Sequence, residues 1–402
     1  FAQSGVIRVD TVAELFDVGV LLANQPLPAG RRVAIVGNSS ALVRLAAVAC
    51  RTHGLPVADG YPVDVGPRAT AREFGDALAG AAADPDADAL VAVFAPPLPG
   101  QTTTADADFA AAMTRVATAG DRTMVATVVG SPLPPGVPAY PSVEEAVRAL
   151  ARVCGYAQWL RRPPGSTVAL SDVDTDAAGQ AIEAGGPGLA ERLLAAFGIP
   201  VVESERVDSQ KAAVAAAKRL GFPVALKAAR PGLRHRFDLG AVRLDVADEA
   251  ALCRAYREMS ARFGHEMLVQ PMVPPGVACV VEVVEDPAFG PVVGFGLGGV
   301  ATELLGDRAW RAAPLTDRDA AELVDAPRAA PLLRGYRGAV PVDRDALAEL
   351  LLRVGRLADE QPRVRALALN PVIARPDGWS VLHATVRIDE ALPRPDTGPR
   401  RI

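Results

Sequence analysis

From Arg32 onward, short apolar runs alternate with longer stretches whose apolar positions recur at helical spacing. Val33-Ala34-Ile35-Val36 predicts a strand, Gly37-Asn38-Ser39-Ser40 a turn, and Ala41 to His53 a helix closed by Gly54. Ala89 to Phe94 and Thr123 to Val128 predict further strands, with a helix from Asp106 to Ala119 between them. Ser142 with Glu145 three residues later forms a capping-box pattern, and the helix it opens reaches about Trp159. Val12, Leu15 and Phe16 stand at helical spacing near the start. Continuous apolar strands interleaved with helices imply a parallel sheet covered on both faces.

Arg161-Arg162-Pro163-Pro164-Gly165 breaks this rhythm, and a polar, glycine-containing stretch runs on to Pro187-Gly188. A first domain over 1–162 and a linker over 163–187 are expected. Beyond it, Leu189, Leu193, Leu194 and Phe197 line one helix face, Gly198 ends it, and Ile199 to Val202 predicts a strand. Ser209 caps a helix that Gly221 closes, and Pro223-Val224-Ala225-Leu226-Lys227 enters a strand. Asp343 caps a helix with Leu347, Leu350, Leu351, Val354 and Leu357 on one side; strands Val364 to Leu369 and Trp379 to His383 follow. The end of the chain, 396–402, reads as a flexible tail.

The segment Gly290 to Leu315 joins an apolar strand to a cluster of glycines. Gly294, Gly296, Gly298 and Gly299 lack a Cβ, so a turn built from them could bring successive N–H groups close to an anion. Gly294-x-Gly296-x-x-Gly299 also satisfies the dinucleotide fingerprint, which needs a long helix directly after it. Only Val300 to Leu305 is available before Gly306 and Asp307. Phosphate handling of another kind is the better reading.

The chain of 402 residues carries a formal charge of −5, which argues against nucleic acid as the main partner. No apolar run approaches the roughly 18 residues that span a bilayer, and no export signal precedes the first helix. Cys50, Cys154, Cys253 and Cys279 lack the paired spacing of a disulfide framework or a zinc site and predict reduced thiols, hence a cytoplasmic protein. Because it opens on Phe1, already in structured-looking sequence, the chain reads as a piece of a longer polypeptide. Lys211, Lys218 and Lys227 are the only lysines among 42 cationic residues, so 39 are arginine. In that background Lys227, on a predicted strand, stands out as a point charge suited to a phosphate.

AERLLAAFGIPVV, AAKRLGFPVALKA, HRFDLGAVRL, LVQPMV, DPAFGPVVGFGLGGVATELLGD and ALNPV occur in this order over Leu189 to Ile388. Together they resemble the ATP-grasp module of the ADP-forming acyl-CoA synthetases, the relatives of succinyl-CoA synthetase. GVIRVDTVAELFD, GRRVAIVGNSS, PVDV and the helix from Val143 resemble the flavodoxin-like domain that precedes this module. The resemblance implies an α/β chain in which a flavodoxin-like parallel-sheet domain is followed by a two-lobed ATP-grasp domain, with lobes over 188–263 and 264–395. It implies exchange of acyl-CoA, ADP and phosphate for acid, CoA and ATP through a phosphohistidine. Lys227 would hold nucleotide phosphates, Gly296, Gly298, Gly299, Glu303 and Arg234 would complete the phosphate site with Arg236 assisting, and His235 would accept phosphoryl. ATP or ADP, and CoA or acyl-CoA bound through an upstream CoA-binding domain, are the implied ligands; a second copy of the chain is a further candidate partner, which the resemblance leaves open.

The chain also departs from that pattern. The family supplies magnesium ligands as D-I-N-P-V and V-D-A-R, where this chain reads Ala368-Leu369-Asn370-Pro371-Val372 and Leu382-His383-Ala384-Thr385. Asn370 remains, but Ala368 and His383 stand where acids are expected, and Ala278 replaces a nucleotide-contacting glutamate. Imidazole brings Mg²⁺ no negative charge, so the resemblance implies a weakened metal site. A T-N-S-G-G loop has become Gly37-Asn38-Ser39-Ser40-Ala41. These losses suggest a module that binds nucleotide or acyl-CoA without turnover, as the regulatory part of a larger protein lysine acetyltransferase. The alternatives are an active ADP-forming acid–CoA ligase fragment, its metal held by Asn370 with Glu303 or Asp307, and a structural interaction module.

Overall fold

Every residue of β1 (Val33–Gly37), β3 (Ala89–Phe94) and β4 (Thr123–Val128) is buried, as continuous apolar runs require of strands covered on both faces. The computed structural model describes residues 1–96, 106–130, 133–229 and 240–391. Its two units are Phe1–Pro163 and Pro164–Ile402. In the first, β2 (Val63–Asp64) and β5 (Ala139–Tyr140) flank those strands in a parallel sheet of order β2-β1-β3-β4-β5.

Alternate residues along each strand feed different cores. Val33, Ile35, Ala89, Val91, Val93 and Val125 pack with α1 (Val12–Asn24), α2 (Ser40–Thr52) and α5 (Val143–Arg161). Ala34, Val36, Leu90, Ala92, Phe94, Met124 and Ala126 pack with α3 (Ala71–Ala83) and α4 (Asp106–Ala119), where Phe94 stacks on Phe109 with ring centroids 4.5 Å apart. The capping box read at Ser142 and Glu145 is formed. Helix α1 forms around Val12, Leu15 and Phe16, but those three are exposed; Val18 and Leu21 are the residues it buries. Past the end of β1, buried Asn38 donates from Nδ2 to the Ala95 carbonyl at 2.7 Å and accepts from the Ala95 N–H at 2.8 Å.

The second unit holds two antiparallel sheets. Its smaller sheet has order β6-β9-β7-β8, formed by β6 (Glu205–Val207), β7 (Val224–Ala228), β8 (Val242–Val246) and β9 (Met267–Pro271). Val224, Leu226, Ala228, Met267 and Val269 face a core shared with α8 (Gln210–Leu220) and α9 (Glu249–Phe263). The larger sheet runs β12-β11-β10-β13-β14, with β15 also on β13. Its strands are β10 (Val277–Asp286), β11 (Gly290–Leu297), β12 (Arg308–Ala312), β13 (Val364–Arg375), β14 (Gly378–Val381) and β15 (Ala384–Ile388). One face is covered by α6 (Thr175–Ala184), α7 (Leu189–Ala196), α11 (Asp317–Asp325) and α12 (Arg344–Glu360). Helix α10 (Val300–Leu305) follows β11.

Three expectations change. The stretch 163–187 is not a bare linker: Ala178 and Ile182 of α6 join the large-sheet core, and Asp172 accepts from the buried Arg353 guanidinium at 2.9 Å. Ile199 to Val202 forms no strand, only a bridge from Val201 to Val381, with Ile199 packed in that same core. The lobes divide elsewhere than at 263/264, since β9 belongs to the smaller sheet and α7 packs on the larger one. The tail 396–402 lies outside the described residues.

Candidate functional site

Lys227 lies on β7 and Gln270 on β9, diagonal neighbours on the sheet face turned away from α8 and α9. The Lys227 ammonium donates to Gln270 Oε1 at 2.5 Å. Burial pulls this lysine down to about 8, since a charged amine loses solvation in the site. Gln270 is itself buried, and its Nε2 donates to the Val202 carbonyl at 3.0 Å and the Leu382 carbonyl at 2.9 Å. Leu382 lies between β14 and β15, so one amide side chain links the smaller sheet to the larger.

At Leu382 the larger sheet is interrupted. β13 pairs with β15 as far as Leu369 and with β14 from Val372 onward, while on its other edge the register with β10 shifts between Cys279 and Val281. Asn370 and Pro371 fill this irregularity. The Asn370 N–H donates to the His383 carbonyl at 3.0 Å, and the Leu382 N–H to the Pro371 carbonyl at 3.0 Å. The three segments expected to supply the phosphate lysine, the Asn370 ligand and His383 are thus brought together by backbone and Gln270 bonds.

The glycine block behaves differently from the turn expected of it. Gly294 and Gly296 sit within β11 and are buried, and neither takes a positive φ. A Cβ on Gly294 would stand 2.6 Å from the Trp310 ring, and one on Gly296 2.7 Å from the Asp307 carbonyl. Their bareness lets β12 and its side chains lie across them. The turn is confined to Gly298 and Gly299: the Gly298 N–H donates to the Ala278 carbonyl at 2.7 Å, and Gly299, exposed at φ +117°, leads into α10. Glu303 lies on α10, but its side chain falls outside the described residues, as do Arg234, His235 and Arg236 entirely.

The face of the larger sheet away from its helices carries a carboxylate that strand-by-strand reading missed. Glu282 is the cross-strand partner of Gly294 on one side and of Ala368 on the other, and it is ion-paired to Arg308. Alternation of Val280, Glu282 and Val284 along β10 is the signal that could have found it. Asp307 is committed elsewhere, accepting from the Arg328 and Ala329 N–H groups at 2.8 and 2.9 Å. Among the described residues no group of three or more His, Cys, Asp and Glu side chains gathers to hold a metal ion. With Glu282 neutralised and Ala368 and His383 bringing no acid, the described donors do not fit Mg²⁺. Cys50, Cys154, Cys253 and Cys279 are all free. No helix among the described residues is long and apolar enough to cross a membrane.

The ATP-grasp domain model matches residues 186–388, about half of the chain. The chain is 34% identical to the beta subunit of an ADP-forming acetate–CoA ligase I from Pyrococcus furiosus, over 47% of this chain and 84% of that subunit. The chain belongs to the ADP-forming acyl-CoA synthetase family, with an ATP-grasp domain. A single-chain member, the ADP-forming acetate–CoA ligase I of Archaeoglobus fulgidus, is 32% identical over 98% of this chain and 62% of its own length. The chain spans about six-tenths of the length of that relative and of the 4-hydroxybutyrate–CoA ligase of Nitrosopumilus maritimus. A solved acetyl-CoA synthetase from Korarchaeum cryptofilum, in complex with coenzyme A and Mg-AMPPCP, is 37% identical with a TM-score of 0.46, covering 53% of this chain and 99% of its own.

Proposed function

We propose that the chain is the nucleotide- and phosphate-handling part of an ADP-forming acid–CoA ligase, the whole enzyme exchanging acyl-CoA, ADP and phosphate for acid, CoA and ATP. The observation that carries this reading is Lys227, a half-buried ammonium on the face of the smaller sheet turned away from α8 and α9, whose hydrogen-bond partner among the described residues is a neutral amide. With no counter-charge among the described residues, this ammonium favours an anion beside it, and polyphosphate supplies one. The strand order of the first unit is that of flavodoxin-like folds, which suits the domain expected before an ATP-grasp module. His235 keeps its proposed role as phosphoryl acceptor, with Arg234, Gly298, Gly299 and Glu303 around the phosphates. CoA would be held by parts of the enzyme outside this chain.

A second reading is favoured by one observation: Ala368 and His383 stand where metal-binding acids are expected. Under it the module binds nucleotide or acyl-CoA without turning over and regulates a larger polypeptide. The comparisons support the ligase family and give no support to a lysine acetyltransferase context. Calorimetric titration of ADP and ATP into the chain, followed by acid- and CoA-dependent ADP formation in the complete polypeptide, separates the readings. Binding with sustained turnover sinks the second reading, and binding without it sinks the first. Absence of any binding returns the module to a structural role.

A further inference from the structure

We propose that Gln270 is the positioning residue that aims the Lys227 ammonium at the nucleotide phosphates and ties that aim to the larger sheet. The proposal rests on the nucleotide-binding reading above. Its physical basis is the donor and acceptor inventory of an amide: Oε1 accepts, and Nε2 carries two N–H donors. At Gln270 all three are used, by Lys227 Nζ, the Val202 carbonyl and the Leu382 carbonyl. A carboxylate would hold the lysine more strongly but would turn acceptor lone pairs on two carbonyls. An apolar side chain would satisfy none of the three.

The three partners come from parts of the second unit that the sequence keeps far apart. Lys227 lies on the smaller sheet, Val202 follows α7, and Leu382 joins β14 to β15. Val202 is itself tied to the larger sheet, its N–H donating to the Val381 carbonyl at 2.8 Å. Leu382 is one residue from His383, whose carbonyl holds the Asn370 N–H. The position of the lysine is therefore set against the backbone that carries Asn370. Burial is the one cause of the lowered Lys227 value, with no charged side chain contributing among the described residues. Gln270 is thus the group that orients it.

The test uses the small number of lysines in the chain. With ¹³C-labelled lysine only Lys211, Lys218 and Lys227 give signals, and the first two are exposed. Gln270→Leu is expected to lower the Lys227 midpoint below its value near 8 and to weaken ADP binding roughly tenfold, the loss of one hydrogen bond to a charged group. Gln270→Glu, nearly isosteric, is expected to raise the midpoint while still weakening ADP, because the two carbonyl links are lost. If both variants are folded by circular dichroism and keep the wild-type midpoint and ADP affinity, the proposal is overturned. Should Gln270→Leu not fold, Gln270→Glu decides alone. If the wild type binds no ADP although the midpoint follows the Gln270 substitutions, the nucleotide reading fails and takes the phosphate role with it, while the Gln270–Lys227 link stands.

Discussion

Glu282 on β10 stands directly across from Ala368 on β13, in register Cα to Cα. A carboxylate is thus present one strand away from the position where the family pattern places one, but it is spent on Arg308. Ala368→Asp would set two carboxylates opposite each other, which costs roughly half a kcal/mol without a cation between them. We expect this variant to melt slightly lower in metal-free buffer and to recover on adding Mg²⁺. Combined with His383→Asp, it should make ADP affinity depend on Mg²⁺. Calorimetry at several Mg²⁺ concentrations checks this, and a flat response would show that the backbone around Asn370 does not place these side chains as ligands.

Lys227 ties function to stability through pH. It titrates near 10.5 in the unfolded chain and about 8 in the folded one. Between those values the unfolded state binds more protons, so this group's contribution to stability rises with pH; below pH 8 its full penalty applies. That penalty is about 3 kcal/mol. Lys227→Met removes it but leaves Gln270 Oε1 without its donor, at roughly 1 to 2 kcal/mol. The variant should therefore be more stable than wild type by about 1 to 2 kcal/mol at pH 7. The advantage should shrink above pH 8 and reverse between roughly pH 9 and pH 10, where the remaining penalty falls to the roughly 1 to 2 kcal/mol of the lost hydrogen bond. Urea denaturation of both proteins across this range tests the crossing, and ADP binding should be lost in the variant throughout.

Gly294 and Trp310 form a cross-strand pair in which the ring takes the space of the missing side chain. Gly294→Ala should cost about 1 to 3 kcal/mol through overpacking. Trp310→Ala in the same chain should return part of that loss, giving a coupling above about 0.5 kcal/mol in a double-mutant cycle. Additive effects would mean that the ring moves aside freely.

In the first unit, Asn38→Ala removes both hydrogen bonds to the Ala95 backbone and leaves an N–H and a carbonyl without those partners. We expect a loss of about 2 kcal/mol, measured as a lower denaturant midpoint with an unchanged slope.

Local signals carried most of the fold. Helix caps such as Ser142 with Glu145 and Asp343 are written within four residues, and the apolar runs Val33–Gly37 and Ala89–Phe94 announce their own burial. What sequence could not resolve depends on pairing. A glycine in a turn and a glycine under a tryptophan from the next strand look alike until the register is known, and it is the register that makes Gly294 and Gly296 strand residues. The relevance of Glu282 likewise comes only from its pairing with Ala368, more than eighty positions away. Lys227 was legible as chemistry because lysine is scarce in this chain, whereas the role of Gln270 emerges only when Val202 and Leu382 are brought to it.

Pro371 gives the Leu382 bond a further meaning. Antiparallel partners normally exchange two bonds, each N–H meeting the other's carbonyl. Leu382 donates to Pro371, but proline has no hydrogen to give back. The Leu382 carbonyl is therefore left open by the rung its own sheet cannot complete, and Gln270 arrives from the other sheet to fill it. A single imino acid thus serves as the socket through which one half of the ATP-grasp domain is plugged into the other.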